Sequence, residues 1–351
     1  MRLKDYTPVL RAGQWLLHSG IQNPDGGVAR YYRVDLGENL TASTEITGYA
    51  VSGLLQLFEW TGDEEYLSAA KRSGEYLVDA WDPAIRSLPF EVIPGNRHSY
   101  FFDCGMVARG LMWLWRTTKE EHYRHTATEV GLAMHRDFHA LKGFHPIVML
   151  PCKSPVDYDV WWSKMPGAFQ LKAGLAWKDL SETLDNSEFK GWFEELLEFS
   201  MRKYPETLDN EADEVKKMDR LHPWAYFLEG LQAVKDRPAV QSVLGSALAR
   251  GESLREQLAP EFLRSDVCSQ LLRIRLLYGG AILSHEVGRI ESFQYTSEDR
   301  RLHGGFGFGT RNGAMTPHAN PVSTVFALQA LGYAQLAAQG ELQSADWRSL
   351  I

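Results

Sequence analysis

Cysteine, basic clusters and long apolar runs are all scarce in this chain of 351 residues. The three cysteines, Cys104, Cys152 and Cys268, are too few and too scattered for a disulfide framework, so a reducing, cytoplasmic setting is expected. No block of Lys and Arg interrupts a net charge of −8, which disfavours a phosphate-binding surface and leaves nucleic acid outside the expected partners. No stretch approaches the roughly 20 apolar residues of a membrane span, so no membrane partner is expected. The opening MRLKDYTPVLRAGQWLL has no apolar run ending in a small-residue cleavage site, and is not a convincing signal peptide. What the chain does have is enough hydrophobic residue, 44%, to fill a core, and many aromatics, with 11 Trp and 14 Tyr. Aromatic side chains suit cores and sugar-binding clefts alike.

Helical periodicity dominates, and it comes in pairs. TASTEITGYAVSGLLQLFEW is followed by DEEYLSAAKRSGEYLVDAW, with Gly62 to end one helix and Asp63 to cap the next. YFFDCGMVARGLMWLWRTT pairs with EEHYRHTATEVGLAMHRDF, and SKMPGAFQLKAGLAWKDLSETL with NSEFKGWFEELLEFSMRKY. HPWAYFLEGLQAV and RPAVQSVLGSALARGESLREQL follow, then SDVCSQLLRIRLLYGGAIL with a weak partner near 281–292. The last helix, NPVSTVFALQALGYAQLAAQ, has no partner after it, and YTPVLRAGQWLLHSG at the start of the chain could close a ring with it. The first member of each pair is apolar nearly all round, the second amphipathic, as expected of inner and outer helices. The expected fold is all-α: a single domain over 1–351, an (α/α)6 toroid of six hairpins with long loops on one rim.

The long links precede the inner helices and fall at 82–99, 139–162, 205–220 and 293–320. Two of the long loops echo each other, NPDGGVARYYRVDLGENLTASTE before the first inner helix and RRLHGGFGFGTRNGAMTPHANPVST before the last, each with Gly-Gly, an aromatic stretch and Ser/Thr at the helix start. Their glycines suit small hairpins. GGFGFG neither follows a strand nor directly precedes a helix, so it is not a phosphate loop. Because the hairpins alternate up and down, every inner helix begins on the same rim. That rim collects Thr41, Ser43 and Glu45; His98, Tyr100 and Asp103; Asp157, Asp159, Trp161 and Trp162; His222 and Trp224; Asp266 and Cys268; and His303, His318 and Asn320.

One acid at a helix start is a cap, and Ser43, Asp266 and Asn320 suit that role well. Acids and aromatics repeated around one rim also describe a concave ligand site. Asp159, between Tyr158 and two tryptophans, invites partial desolvation, which raises a carboxyl pKa and suits a general acid. Cys104, Cys268, His222 and Asp103 could bind zinc, but none of them forms a close Cys-x-x-Cys or His-x-x-x-His pair with another, and buried free cysteine is common. No metal and no cofactor is expected.

FFDCGMVARGLMWLW and YDVWWSKMPGAFQLKAGLA resemble two consecutive inner helices of the six-hairpin glycosidase superfamily, especially the unsaturated uronyl hydrolases. The resemblance implies that Asp103 and Asp159 are the active pair. The chain departs from that family in having no clear match to its substrate-carboxylate loop. GGFGFG is also reminiscent of terpene-cyclase toroids, yet their aspartate-rich motif is absent, as is the lanthionine-cyclase zinc pattern. The implied activity is cleavage of a glycosidic bond in an acidic or unsaturated oligosaccharide, with Asp159 donating a proton and Asp103 orienting water or tuning the acid. Glu45, Tyr100, Trp161, Trp162, His222, Trp224, His303 and Asn320 would bind substrate, the tryptophans Trp161, Trp162 and Trp224 by stacking on sugar rings. Three alternatives stay open: a polysaccharide lyase or sugar epimerase with His222 or a rim Tyr as base, a non-catalytic carbohydrate-binding or scaffold toroid, and a terpene-cyclase-like toroid.

Overall fold

A computed structural model describes residues 6–95, 97–209, 213–342 and 346–351. The first five residues, part of the segment weighed above as a targeting signal, lie outside them. Thirteen α-helices are seen among the described residues: α1 (Thr7–His18), α2 (Thr44–Thr61), α3 (Glu64–Ala80), α4 (Phe101–Thr118), α5 (Glu121–Phe138), α6 (Gln170–Leu184), α7 (Ser187–Lys203), the single turn α8 (Glu206–Asp209), α9 (Glu214–Leu231), α10 (Pro238–Leu258), α11 (Ser265–Leu277), α12 (Ser284–Glu291) and α13 (Pro321–Ala338). The inner ring runs α2, α4, α6, α9, α11, α13 and back to α2, each packed on the next. Outside it, α3, α5, α7, α10, α12 and α1 back the inner helices in the same order. The first helix of the chain therefore completes the last hairpin, as its isolated position in the sequence suggests. No helix among the described residues is long and apolar enough to cross a membrane.

Local chemistry sets the hairpin joints. Ser43 caps α2 by accepting a bond from the Ile46 N–H, and Gly62, at φ 72°, ends the helix in the left-handed conformation that a residue without Cβ adopts freely. Asp63 then caps α3 through the Glu65 N–H. Two joins differ from the sequence expectation. A 3-10 turn, Trp162–Lys164, and an extended stretch precede α6, which starts only at Gln170. Conversely, α9 begins two turns before HPWAYF, with Pro223 inside the helix rather than at its start. Pro223 supplies no N–H to that helix but does not stop it, because the apolar face continues through Met218 and Leu221, both fully buried.

The two echoing loops are paired structurally. Tyr32–Arg33 of the first lies antiparallel to His318–Ala319 of the second, with Tyr32 opposite Ala319 and Arg33 opposite His318. Each also forms its own small hairpin, Tyr32–Arg33 with Glu38–Asn39, and Gly309–Arg311 with Ala314–Met315. Their hydrogen bonds repeat: the Val28 N–H donates to the Thr47 hydroxyl at 2.9 Å, and the Phe306 N–H to the Thr324 hydroxyl at 3.0 Å. Each hydroxyl in turn donates to the carbonyl at its helix start, Ser43 and Asn320. Gly26 and Gly304, at φ 94° and 95°, both lie against the backbone of an outer helix, at Arg72 and Arg11.

The inner helices approach one another through glycine. A Cβ on Gly105 would stand 2.6 Å from the Ala173 Cα and 2.7 Å from its carbonyl oxygen, both backbone atoms of α6. Gly191 on the outer α7 would meet nothing within 4 Å. Gly105→Ala is therefore expected to destabilise the fold by about 1–3 kcal/mol through overpacking. Gly191→Ala is expected to stabilise it by about 0.5–1 kcal/mol through helix propensity. Urea unfolding of both variants checks the pair, since equal shifts would show that the ring is not closed by this contact.

Candidate active site

On the rim where the inner helices begin, a cavity of about 220 Å³ opens between Glu45, Phe90, Tyr100, Phe102, Asp103, Pro146, Trp162, Ser163, Phe169, Gln170, His222 and Tyr226. A larger cleft of about 510 Å³ adjoins it, sharing the walls Trp162 and Phe169 and bordered outside by Trp161, Lys203, Lys216 and Arg220. The inner cavity takes its side chains from α2, α4, α6, α9 and the segments that lead into α4 and α6. Five of the rim residues singled out in the sequence, Glu45, Tyr100, Asp103, Trp162 and His222, line it together.

Asp103 is no helix cap. It lies in the first turn of α4, whose N-cap residue is Tyr100. Its carboxyl accepts from its own backbone N–H, while Oδ2 is buried with no hydrogen-bond partner. Burial, reinforced by the neighbouring Glu45, raises its pKa well above the ordinary carboxyl value. Glu45 is pushed up to about 7 by burial, with the ammonium of Lys172 pulling the other way. Two carboxyls that share a poorly hydrated site cannot both ionise readily, so near neutrality the pair holds a proton between them. Tyr100 is raised as well, by burial first and then by Asp103.

His222 is buried, and burial depresses its pKa to about 4 despite Asp266 nearby. Its Nδ1 lies 2.8 Å from the Gln270 Oε1, and the Gln270 Nε2 donates to Glu229 at 3.3 Å. Because the amide nitrogen faces the carboxylate, the amide oxygen must face the imidazole. His222 Nδ1 therefore carries the hydrogen and Nε2 the free lone pair. Glu229 also accepts from Lys172 and Arg273, all three fully buried, and Lys172 and Arg273 both donate to the carbonyl oxygen of Ile351. The ammonium of Lys172 lies 5.0 Å from the centre of the Tyr226 ring, which forms part of the cavity wall.

Several sequence expectations are corrected. Asp159 is not desolvated: its side chain is 41% exposed, accepts from the Val160 N–H at 2.6 Å and pairs with Lys164 at 3.2 Å. The backbone bond first, and then Lys164, lower its pKa, the reverse of what its aromatic neighbours suggest, because Tyr158 and Trp161 are themselves exposed. Trp224 is 1% exposed and donates to the Ala247 carbonyl of α10; with α9 starting earlier than expected, it faces the outer wall and cannot stack on a ligand. Trp161 stands at the outer cleft. His303 is exposed and accepts from the Ser297 N–H, and Asn320 caps α13 through the Ser323 N–H, so neither lines the cavity. Asp266 is bound to Arg264. Cys104 and Cys268 are buried, their thiols raised to about 12, and no three of Asp103, Cys104, His222 and Cys268 come within ligating distance of one another. The buried ion cluster was missed altogether, although its signal is present: one charge in each of the apolar inner stretches FQLKAGLAW, YFLEGLQ and LLRIRLL faces the axis.

No protein-family model matches the chain, and no curated protein matches its sequence. Solved structures do. A cellobiose 2-epimerase from Bacillus thermoamylovorans superimposes with a TM-score of 0.70 at 11% identity, over 90% of this chain and 95% of that one. A D-mannose isomerase gives 0.67 at 10% identity, over 95% and 98%. An alpha-amylase from Clostridium perfringens gives 0.65 at 10% identity, over 95% and 99%. The chain thus shares the (α/α)6 toroid fold of these structures. At such identities the likeness is one of fold, and the chemistry has to be argued from the cavity.

The carboxyl pair has a thermodynamic signature. In the unfolded chain both groups lose their protons near about pH 4. In the fold they keep a proton to a higher pH, so over that interval the unfolded state binds fewer protons and stability falls as pH rises. Asp103→Asn is expected to flatten that fall, with a melting temperature a few degrees above the parent at about pH 8 and no such advantage at about pH 4. Thermal melts across this range check it; parallel curves would mean that the pair ionises normally.

Proposed function

We propose that the protein is a carbohydrate-active enzyme in which Glu45 and Asp103 transfer protons to and from a bound sugar. The observation that carries this reading is the placement of Glu45 and Asp103 in one aromatic-lined cavity, where Asp103 Oδ2 has no partner and burial raises both carboxyls. One carboxyl stays protonated near neutrality, as a general acid requires, while the other is available as base. That arrangement suits cleavage of a glycosidic bond: the acid protonates the departing oxygen and the carboxylate assists water or attacks the anomeric carbon. Tyr100, Trp162 and His222 would hold the ring at the cleavage point. The cavity of about 220 Å³ is below the usual size of a drug-sized site and fits about one sugar ring, while the adjoining cleft with Trp161 would take the remainder of an oligosaccharide. Asp159, ionised and paired with Lys164, would serve only at the rim.

A second reading rests on His222. A neutral imidazole of fixed tautomer is a competent base for removing a proton from a sugar carbon, the step of an epimerase or isomerase. Solved toroids described as a cellobiose 2-epimerase and a D-mannose isomerase lend it support.

Incubation with panels of oligosaccharides and free sugars in deuterated water separates the two. Release of a new reducing end without deuterium at a carbon marks hydrolysis; deuterium at C2 of an otherwise intact sugar marks epimerisation or isomerisation. In the hydrolytic case Glu45→Gln and Asp103→Asn are each expected to lower kcat by about 10³-fold or more, and Asp159→Asn by less than about threefold. Loss of activity in Asp159→Asn alone, with Glu45→Gln active, would overturn the assignment.

A further inference from the structure

The outer wall carries a second constellation, remote in kind from the acid cavity. His135 and His139 stand four residues apart on the last turn of α5 and at its C-cap, so their imidazoles share one face. Glu195 comes to them from α7, the outer helix of the next hairpin, with one carboxylate oxygen 3.2 Å from His139 Nε2. One ligand atom from each of the three lies within 4.8 Å of the other two. We infer that His135, His139 and Glu195 form a binding site for a late first-row divalent transition ion, with zinc as the reference case.

Four features of the site favour this. Two imidazoles and a carboxylate are borderline donors that suit Zn²⁺, Ni²⁺ or Cu²⁺ and discriminate against Mg²⁺ and Ca²⁺, which take oxygen ligands. A tetrahedral ion with bonds of about 2.0–2.1 Å needs ligand atoms about 3.3 Å apart, and the His139–Glu195 separation already has that length. The ring of His135 is stacked on Trp192, with centroids 4.2 Å apart and planes 9° from parallel, which fixes its plane before any ion arrives. The charges acting on His135, besides His139, are the acids Glu195 and Glu188, so the local field favours a cation. Water would complete the coordination on the solvent side, where His139 and Glu195 are exposed. The bound ion would clamp the second hairpin to the third.

The test uses the full chain stripped by chelator and titrated with Zn²⁺ alone, with binding followed by calorimetry and by melting temperature. One equivalent is expected at this site, with a melting temperature that rises with zinc concentration, as for any ligand that binds only the folded state. His139→Ala and His135→Ala are each expected to weaken binding at least tenfold and to abolish the zinc-dependent rise. His122→Ala, which alters the other cluster of ligand-type residues, Glu75, Glu120 and His122, is expected to leave both unchanged. Circular dichroism of the exposed variant His139→Ala confirms that the fold is kept. No saturable zinc binding by the parent chain would overturn the proposal, as would binding that is unaltered by His135→Ala and His139→Ala or lost only in His122→Ala.

Discussion

The carboxylate of Glu229 is the constraint around which the toroid is organised. It is fully buried on the axis and shared by Lys172 from α6 and Arg273 from α11, with Gln270 as a further donor. Removing two cations and an anion from water is costly, and it is tolerated only where each charge is matched and the remaining donors are satisfied. Most of the donors are matched: Lys172 and Arg273 reach the Ile351 carbonyl, Arg273 also reaches Gln329, and Gln329 binds Gln56 and the Ser349 carbonyl, while Arg273 Nε and Arg109 Nη1 are left without a partner. Arg109 on α4 donates to the Leu350 carbonyl. All six inner helices thus meet at polar contacts on one axis, a condition that apolar packing between them would not by itself impose.

The same cluster governs the cavity above it. Through Gln270 it sets which nitrogen of His222 carries hydrogen, and through the Lys172 ammonium it limits how far the pKa of Glu45 can climb. The Asp103 carboxyl, with an oxygen left unpaired and a carboxyl neighbour, is a different kind of feature: of the buried polar side-chain atoms without a partner among the described residues, it is the one that lines the cavity. Violations of this kind concentrate at functional sites, because the folding energy they forfeit is recovered when a ligand supplies the missing partner.

Much of the architecture was legible in the sequence because inner and outer helices differ in composition. TEITGYAVSGLL cannot lie on a surface, and EEYLSAAKRSGEYL cannot lie on the axis, so hairpins and their nesting follow from hydropathy alone. Ring closure was legible for the same reason, since α13 needed a partner and α1 lacked one. The failures are local. The helix read from HPWAYF onward starts earlier, because burial of Met218 and Leu221 extends it through Pro223. Asp159 was placed in a desolvated setting on the strength of three aromatic neighbours in sequence, yet adjacency in a loop does not say which way side chains turn, and there Tyr158 and Trp161 turn to water. Asp103 was recognised as half of a pair, while Glu45, its partner in space, comes from another hairpin and was placed only among the ligand contacts. The His-x-x-x-His spacing of His135 and His139 was overlooked in the sequence, and Glu195 joins them only once the hairpins are side by side.

The segment 346–351 has a consequence for traffic through the molecule. Leu350 and Ile351 are almost wholly buried, and their carbonyls are bound by the side chains that project onto the axis. The ring therefore has a stopper: whatever reaches Glu45 and Asp103 must back out by the mouth it entered. Such a blind well cannot thread a polymer or slide along one. On the proposed reading, a sugar in this cavity would have to enter by a free end or as a short molecule, and the depth of the well would then measure how far that end can reach.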